Sequence, residues 1–150
     1  APQRGTALPD WRGVALDARS VALPELRGQP VVVNLWASWC PPCRREMPVL
    51  LQASQARPDV RFVWINQGEA PETALRYASQ QGLPLADVLL DGTSQLSREL
   101  GHKALPTTLF YDAQGRLQAV RAGELSAATL AQHLALITTV QGAAASLQKP

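Results

Sequence analysis

Residues 31–43 read VVVNLWASWCPPC, and this stretch decides the fold. The apolar run Val31–Trp36 follows a Gly-Gln-Pro turn, so we predict a strand that is covered on both faces. Pro41 and Pro42 lack amide hydrogens that the first turn of a helix leaves unpaired in any case, so a helix is predicted to begin at one of them. The two cysteines are therefore expected where a buried strand gives way to a helix.

The rest of the chain alternates between strand and helix patterns. Residues 61–65 and 88–90 are predicted to be strands, and residues 70–81 and 94–100 to be helices. The first helix is expected to continue through Pro48 with a kink. Its buried face is predicted to carry Met47, Leu50, Leu51 and Ser54.

The C-terminal half predicts an antiparallel hairpin and a closing helix. Residues 107–111 are β-branched and aromatic, and they precede Asp-Ala-Gln-Gly and a second run through Val120. Apolar residues then recur at i, i+4 and i+7 after a Ser126 cap. The fold class is therefore α/β, with a mixed central sheet flanked by helices. The predicted core includes Trp36, Phe62, Trp64 and Phe110.

Length and charge limit the organisation and the partners. With 150 residues, 46% of them hydrophobic, the chain is predicted to form one domain. Residues 1–13 are assigned to an N-terminal extension, 14–140 to the domain and 141–150 to a C-terminal tail. A formal charge of +2 predicts no nucleic-acid partner. The adjacent pair Arg44-Arg45 either steers acidic partners or is a solvated helix face.

The cysteine pair is predicted to be redox-active. The helix N-terminus favours negative charge, so we expect it to lower the pKa of the Cys40 thiol. Cys43, one turn into the helix, is expected to point inward and to be less exposed. Cys40 would then attack a partner as an accessible thiolate, and Cys43 would resolve the mixed disulfide. The motif does not settle whether the protein reduces or oxidises its partner.

The string WASWCPPCRREMP at 36–48, together with Leu105-Pro106-Thr107, resembles the thioredoxin superfamily. Within it, the chain is most similar to the TlpA/ResA/DsbE branch of membrane-tethered or secreted disulfide reductases, which share W-x-x-W-C-x-P-C-x-x-E-x-P. The similarity runs from about residue 14 to residue 137. It implies a thioredoxin fold with an added segment between the first helix and the loop of Pro106.

The resemblance also implies a partner-binding surface. Pro106 is expected to form a cis peptide bond and to face the cysteines, and the backbone of Leu105 is expected to pair with an extended segment of the partner. Trp39 is interpreted as an apolar contact for the partner. Pro41 and Pro42 complete the predicted substrate-binding residues.

Glu46 is the third predicted catalytic residue. Cytosolic thioredoxins have a buried Asp where this chain has Asn34, whereas the TlpA-like branch has an acid three positions after the second cysteine. Glu46 matches that position and shares a helix face with Cys43. Burial would raise its pKa and make it a proton acceptor or donor. An ordinary solvated helix residue is the alternative.

The resemblance implies thiol:disulfide exchange on protein partners outside the cytoplasm by a monomer that needs neither a metal nor an organic cofactor. Its electron partner would be a membrane protein of the DsbD/CcdA or DsbB kind, and apocytochrome c is one expected substrate. The start Ala1-Pro2-Gln3-Arg4 lacks an initiator Met, which suits either a processed mature form or a trimmed sequence, and a removed signal or membrane anchor is one expectation.

Four alternatives stay open. One is an oxidant or isomerase with the same residues, and another is a Cu(I) carrier that adds Met47 or His102 to the thiolates. The remaining two are a peroxidase of the peroxiredoxin type and an interaction module without redox activity. His102 and Ala104 depart from the family's usual apolar residue and Gly.

Overall fold

The computed structural model describes residues 2–101 and 104–148. Its strands are β1 Arg12–Ala15, β2 Ser20–Ala22, β3 Val31–Trp36, β4 Arg61–Gln67, β5 Val88–Asp91, β6 Thr107–Tyr111 and β7 Leu117–Ala122. Its helices are α1 Pro41–Ala56, α2 Pro71–Gln81, α3 Gln95–Glu99 and α4 Ala127–Gln148, and 3-10 helices span Leu23–Leu26 and Leu85–Asp87.

The seven strands form one mixed sheet in the order β2-β1-β5-β4-β3-β6-β7. β3 pairs parallel with β4 and antiparallel with β6, and β4 pairs parallel with β5. The hairpin of β6 and β7 closes one edge, and β1 and β2 extend the other. The segment between α1 and Pro106 contains β4, α2, β5 and α3, and the α/β thioredoxin fold is confirmed.

Both faces of the sheet are covered, which explains why every residue of β3 is buried. Val32 and Trp36 belong to a core on the side of α1, α2 and α4. Val31, Val33 and Leu35 point to the opposite core, which α3, the first 3-10 helix and the N-terminal segment cover. The predicted burial of Trp36, Phe62, Trp64 and Phe110 is confirmed.

Helix α1 begins at Pro41 and continues through Pro48, so it is one helix as predicted. Its buried face differs from the prediction. Leu51 and Ser54 are only half-buried, and the inward positions are taken by Cys43, Glu46, Met47 and Leu50. These four residues follow helical spacing, and Glu46 is included because its carboxylate finds hydrogen-bond donors in the interior.

The N-terminal segment packs on the core to a degree that its sequence did not predict. Leu8 and Trp11 are buried, Ala7 forms a bridge with Arg116, and β1 begins at Arg12. The boundary predicted after residue 13 therefore falls inside β1. The boundary predicted after residue 140 falls inside α4.

A search of the described residues for a helix with the length and hydropathy of a membrane span found none.

Gly13 provides a test of this N-terminal packing. A Cβ atom on Gly13 would overlap the six-membered ring of Trp11, which is buried and cannot move freely. We expect Gly13→Ala to lower the free energy of unfolding by about 1–3 kcal/mol in a urea titration. Gly92→Ala is the control, because no described residue beyond its chain neighbours has an atom within 4 Å of the position that its Cβ would occupy. Equal stability of the two variants would contradict the packing described.

Candidate active site

The cysteine pair lies at the junction of β3 and α1. Cys40 is the N-cap residue of α1, and its Sγ is joined to that of Cys43 in a disulfide. The backbone N–H of Cys43 donates to Sγ of Cys40, with N and S 3.3 Å apart. The same N–H would stabilise negative charge on this sulfur once the disulfide is opened.

The exposure of the pair differs from the expectation of an accessible Cys40. In the disulfide form Cys40 is only 2% exposed and Cys43 is fully buried. The reason is that Sγ of Cys40 is directed toward Cys43 and the first turn of α1. Trp39, one residue earlier, is 67% exposed and is the prominent apolar side chain at this edge.

Glu69 fixes the loop that leads into Cys40. Its carboxylate accepts hydrogen bonds from the backbone N–H and the hydroxyl of Ser38, at 2.7 and 2.5 Å, and from Nδ2 of Asn66, at 2.8 Å. Sequence reasoning missed this residue, because Ser38 and Glu69 lie 31 positions apart. Ser38 follows β3 and Glu69 follows β4. A prediction that β3 and β4 are neighbouring parallel strands would have indicated that the loops after them lie close together.

Glu46 is completely buried, which excludes the alternative of a solvated helix residue. Oε1 accepts from Nδ2 of Asn34 at 2.8 Å, and Oε2 accepts from the backbone N–H of Leu125 at 2.9 Å. Burial raises the pKa of Glu46 from 4.5 to about 7, although the hydrogen bonds from Leu125 and Asn34 favour the ionised form. The group can therefore gain or lose a proton near neutral pH.

Asn34 connects Glu46 to the sheet. Its Nδ2 donates both to Glu46 and to Oγ1 of Thr108, at 3.0 Å, on the neighbouring strand β6. Its Oδ1 is buried and accepts no hydrogen bond from the described residues. The amide thus holds the carboxyl group without supplying a charge of its own.

The loop before β6 packs against the core that contains the cysteines. The Leu105–Pro106 peptide bond is cis, as the resemblance implied, and Pro106 is buried. Leu105 is half-buried and packs against the core cluster that includes Cys40 and Cys43. Its backbone N–H and C=O form no hydrogen bond within the described part of the chain. They remain available to an extended segment.

The other predicted residues are placed as follows. Pro41 is exposed, Pro42 is half-buried, and both lie in the first turn of α1. Ala104 is exposed. His102 lies outside the described residues. Among the residues described, no group of three or more His, Cys, Asp or Glu could hold a metal ion.

Comparison with known proteins gives this geometry its context. The Redoxin family model matches residues 3–134. The thiol-disulfide oxidoreductase ResA of Geobacillus thermodenitrificans is 30% identical over 132 residues, which cover 87% of this chain and 75% of ResA. The thiol:disulfide interchange protein DsbE of Escherichia coli is 35% identical over 100 residues, covering 67% of this chain and 53% of DsbE.

A solved structure agrees with these relatives. It is that of a secreted Mycobacterium tuberculosis disulfide oxidoreductase homologous to E. coli DsbE. It superimposes with a TM-score of 0.76 at 25% identity, covering 84% of this chain and 95% of that one. Fold and cysteine pair together thus define a thiol:disulfide oxidoreductase with a thioredoxin fold. The chain belongs to the Redoxin family, and within it to the TlpA/ResA/DsbE-like oxidoreductases.

The buried Glu46 predicts an unusual dependence of stability on pH. Its folded pKa of about 7 lies above the ordinary value of 4.5, so between these values the folded chain binds more protons than the unfolded one. The free energy of unfolding should therefore fall as the pH rises through this window, by up to about 3 kcal/mol. Urea titrations of the oxidised protein across the window should show this fall in the wild type, and Glu46→Gln should lack it. An equal fall in both proteins would contradict the assignment.

Glu69 predicts a local effect at the loop before Cys40. Glu69→Ala removes the acceptor of the Ser38 N–H, so amide hydrogen exchange at Ser38 should accelerate by about tenfold or more, corresponding to ~1.4 kcal/mol of lost protection. Glu72→Ala is the matched control, because Glu72 is exposed on α2 and accepts no hydrogen bond from a described side chain. Unchanged exchange at Ser38 in Glu69→Ala would show that this carboxylate does not hold the loop.

Proposed function

We propose that this chain is a disulfide reductase that acts on proteins outside the cytoplasm, with Cys40 as the attacking and Cys43 as the resolving thiol. The observation that carries the proposal is the position of Cys40. It caps α1, its Sγ accepts the N–H of Cys43, and the exposed Trp39 lies beside it. Of the two cysteines, Cys40 keeps 2% of its surface exposed and Cys43 none.

The exchange proceeds in two steps that conserve electrons. In the reduced protein the Cys40 thiolate attacks one sulfur of the partner's disulfide, forming a mixed disulfide and releasing a partner thiolate, which takes up a proton. The Cys43 thiolate then attacks Sγ of Cys40 and releases the second partner thiolate. The partner gains two electrons, and the Cys40–Cys43 disulfide is left behind.

Glu46 is proposed to receive the proton that Cys43 must lose before it can attack. The two residues lie one turn apart on the buried face of α1, where water does not surround either of them. A carboxylate with a pKa of about 7 is suited to accept a proton at neutral pH and to return it in the reverse direction. Asn34 and the Leu125 amide hold it in place.

The partner is proposed to dock along the edge formed by Trp39, Pro41, Pro42, Leu105 and Pro106. Trp39 offers apolar area, and the backbone of Leu105, which bonds to no described residue, offers a donor and an acceptor to an extended peptide. The cis peptide bond at Pro106 belongs to the loop that carries this backbone.

The direction of electron flow and the location are proposed from the family resemblance. ResA and DsbE, named as a thiol-disulfide oxidoreductase and a thiol:disulfide interchange protein, support thiol:disulfide exchange. The resemblance of residues 36–48 to the TlpA/ResA/DsbE branch favours reduction of a protein substrate such as apocytochrome c, with electrons returned to Cys40–Cys43 by a membrane donor of the DsbD/CcdA kind. The neighbour from M. tuberculosis is described as secreted, which supports action outside the cytoplasm. An oxidant would use the same residues in reverse, with an acceptor of the DsbB kind. The Cu(I) alternative needs Met47 or His102 as a ligand beside the two thiolates. Met47 is fully buried within the core cluster, and His102 lies outside the described residues.

A trapping experiment tests the proposal. Cys43→Ser cannot resolve the mixed disulfide, so partners should remain covalently bound to Cys40 in the native host and be identified by mass spectrometry. A trapped protein with a haem-binding Cys-x-x-Cys-His segment would support cytochrome maturation, and a quinone-linked oxidase would indicate oxidation. The control is Cys40→Ser, which should trap neither. If both variants trap the same proteins, or neither traps any, Cys40 is not the attacking thiol.

A further inference from the structure

A small polar cleft adjoins the active site between α1 and α2. Its volume is about 160 Å³. Ser38 lies two residues before Cys40, and Arg44 directly follows Cys43, so the cleft opens beside the cysteine pair. We call it the Arg44–Arg76 cleft, and it is lined by Ser38, Arg44, Thr73, Arg76, Tyr77 and Gln80.

The charge of the Arg44–Arg76 cleft is positive. Both arginines are exposed, and neither forms an ion pair with a carboxylate of the described residues. Glu69 is the carboxylate that contacts the lining, through Ser38. The lining itself contains two guanidinium groups and no carboxylate. Arg45, by contrast, points elsewhere and pairs with Glu124 at 2.9 Å.

One donor of the cleft, the Tyr77 hydroxyl, lacks an acceptor among the described residues. Glu69 already accepts both donors of Ser38, so Ser38 has none to offer. The hydroxyl of Tyr77 is buried and has no partner among the described residues. Burial raises the pKa of this hydroxyl, which therefore stays protonated and able to donate. Arg44 lies over the Tyr77 ring, 5.7 Å from its centre.

The size of the cleft decides what kind of group it can take. Sites for drug-sized ligands have volumes of roughly 300–1,000 Å³, well above that of the Arg44–Arg76 cleft. A single side chain fits better than a free cofactor. Guanidinium groups prefer planar anions that accept two hydrogen bonds, and a carboxylate is the anion of this kind that proteins carry.

We propose that the Arg44–Arg76 cleft binds an aspartate or glutamate side chain of the protein whose disulfide is exchanged. Trp39 contacts apolar surface of that partner next to Cys40, and the two arginines select an acidic residue. The inference rests on the proposed function and adds a preference for partners with acidic residues near their cysteines. The sequence left Arg44-Arg45 as either a pair that steers acidic partners or a solvated helix face. The inference favours steering of acidic partners for Arg44.

Matched peptides test this preference. Two synthetic peptides would each contain one disulfide, flanked by three glutamates in the first and by three glutamines in the second. The readout is the second-order rate constant with which the reduced protein reacts with each peptide, followed by tryptophan fluorescence at low ionic strength. The wild type should react with the glutamate peptide about fivefold faster than with the glutamine peptide.

Arginine variants then assign the preference to the cleft. In Arg76→Ala the ratio of the two rate constants should fall toward one, and in Arg76→Glu a third peptide with lysines should react faster than the glutamate peptide. Arg27→Ala is the matched control. Arg27 is also exposed and free of ion pairs with described carboxylates, but it precedes β3, whereas the cysteines follow the other end of that strand. This variant should keep the wild-type ratio.

The outcomes separate the inference from the function. Equal rates with the two peptides in the wild type, or a ratio that survives in Arg76→Ala, would overturn the cleft as an acid-binding site while leaving the exchange activity intact. A wild type that reacts with neither peptide would contradict the proposed function, and the inference with it.

Discussion

One buried carboxyl group joins three parts of the molecule around the cysteines. Glu46 belongs to α1, accepts a hydrogen bond from Asn34 on β3, and accepts another from the Leu125 amide just before α4. Burial favours its protonated form and the two donors favour its ionised form, and the balance places the pKa at about 7. The same carboxyl group therefore ties α1 to the sheet and can gain or lose a proton near neutral pH.

Short-range patterns were enough to predict the elements that hold the site. The apolar run of β3, the prolines at the start of α1 and the hairpin of β6 and β7 are each visible within a few residues, and all three are confirmed. Burial of Glu46 was one of two interpretations, because its helix position does not reveal the donors that Asn34 and Leu125 contribute from distant segments.

The features that escaped prediction depend on contacts between remote parts of the chain. β1 and β2 have four and three residues, too few for a period to be recognised, and β1 pairs with β5, which lies in the second half of the chain. Glu69 and Tyr77 are close to the active-site loop because β4 and α2 bring them there in the folded chain. Pattern reasoning has no access to such distances.

The path of the N-terminal segment has a practical consequence. Gly5 and Leu8 bond to Leu117 and Gly115, at the turn between β6 and β7. That turn lies next to the Val31 end of β3, whereas the cysteines follow the Trp36 end. A dye, resin or sensor chip coupled ahead of Gly5 is thus held about one strand length, roughly 20 Å, from the reactive edge. Immobilised in this orientation, the molecule presents its sulfurs to the solution.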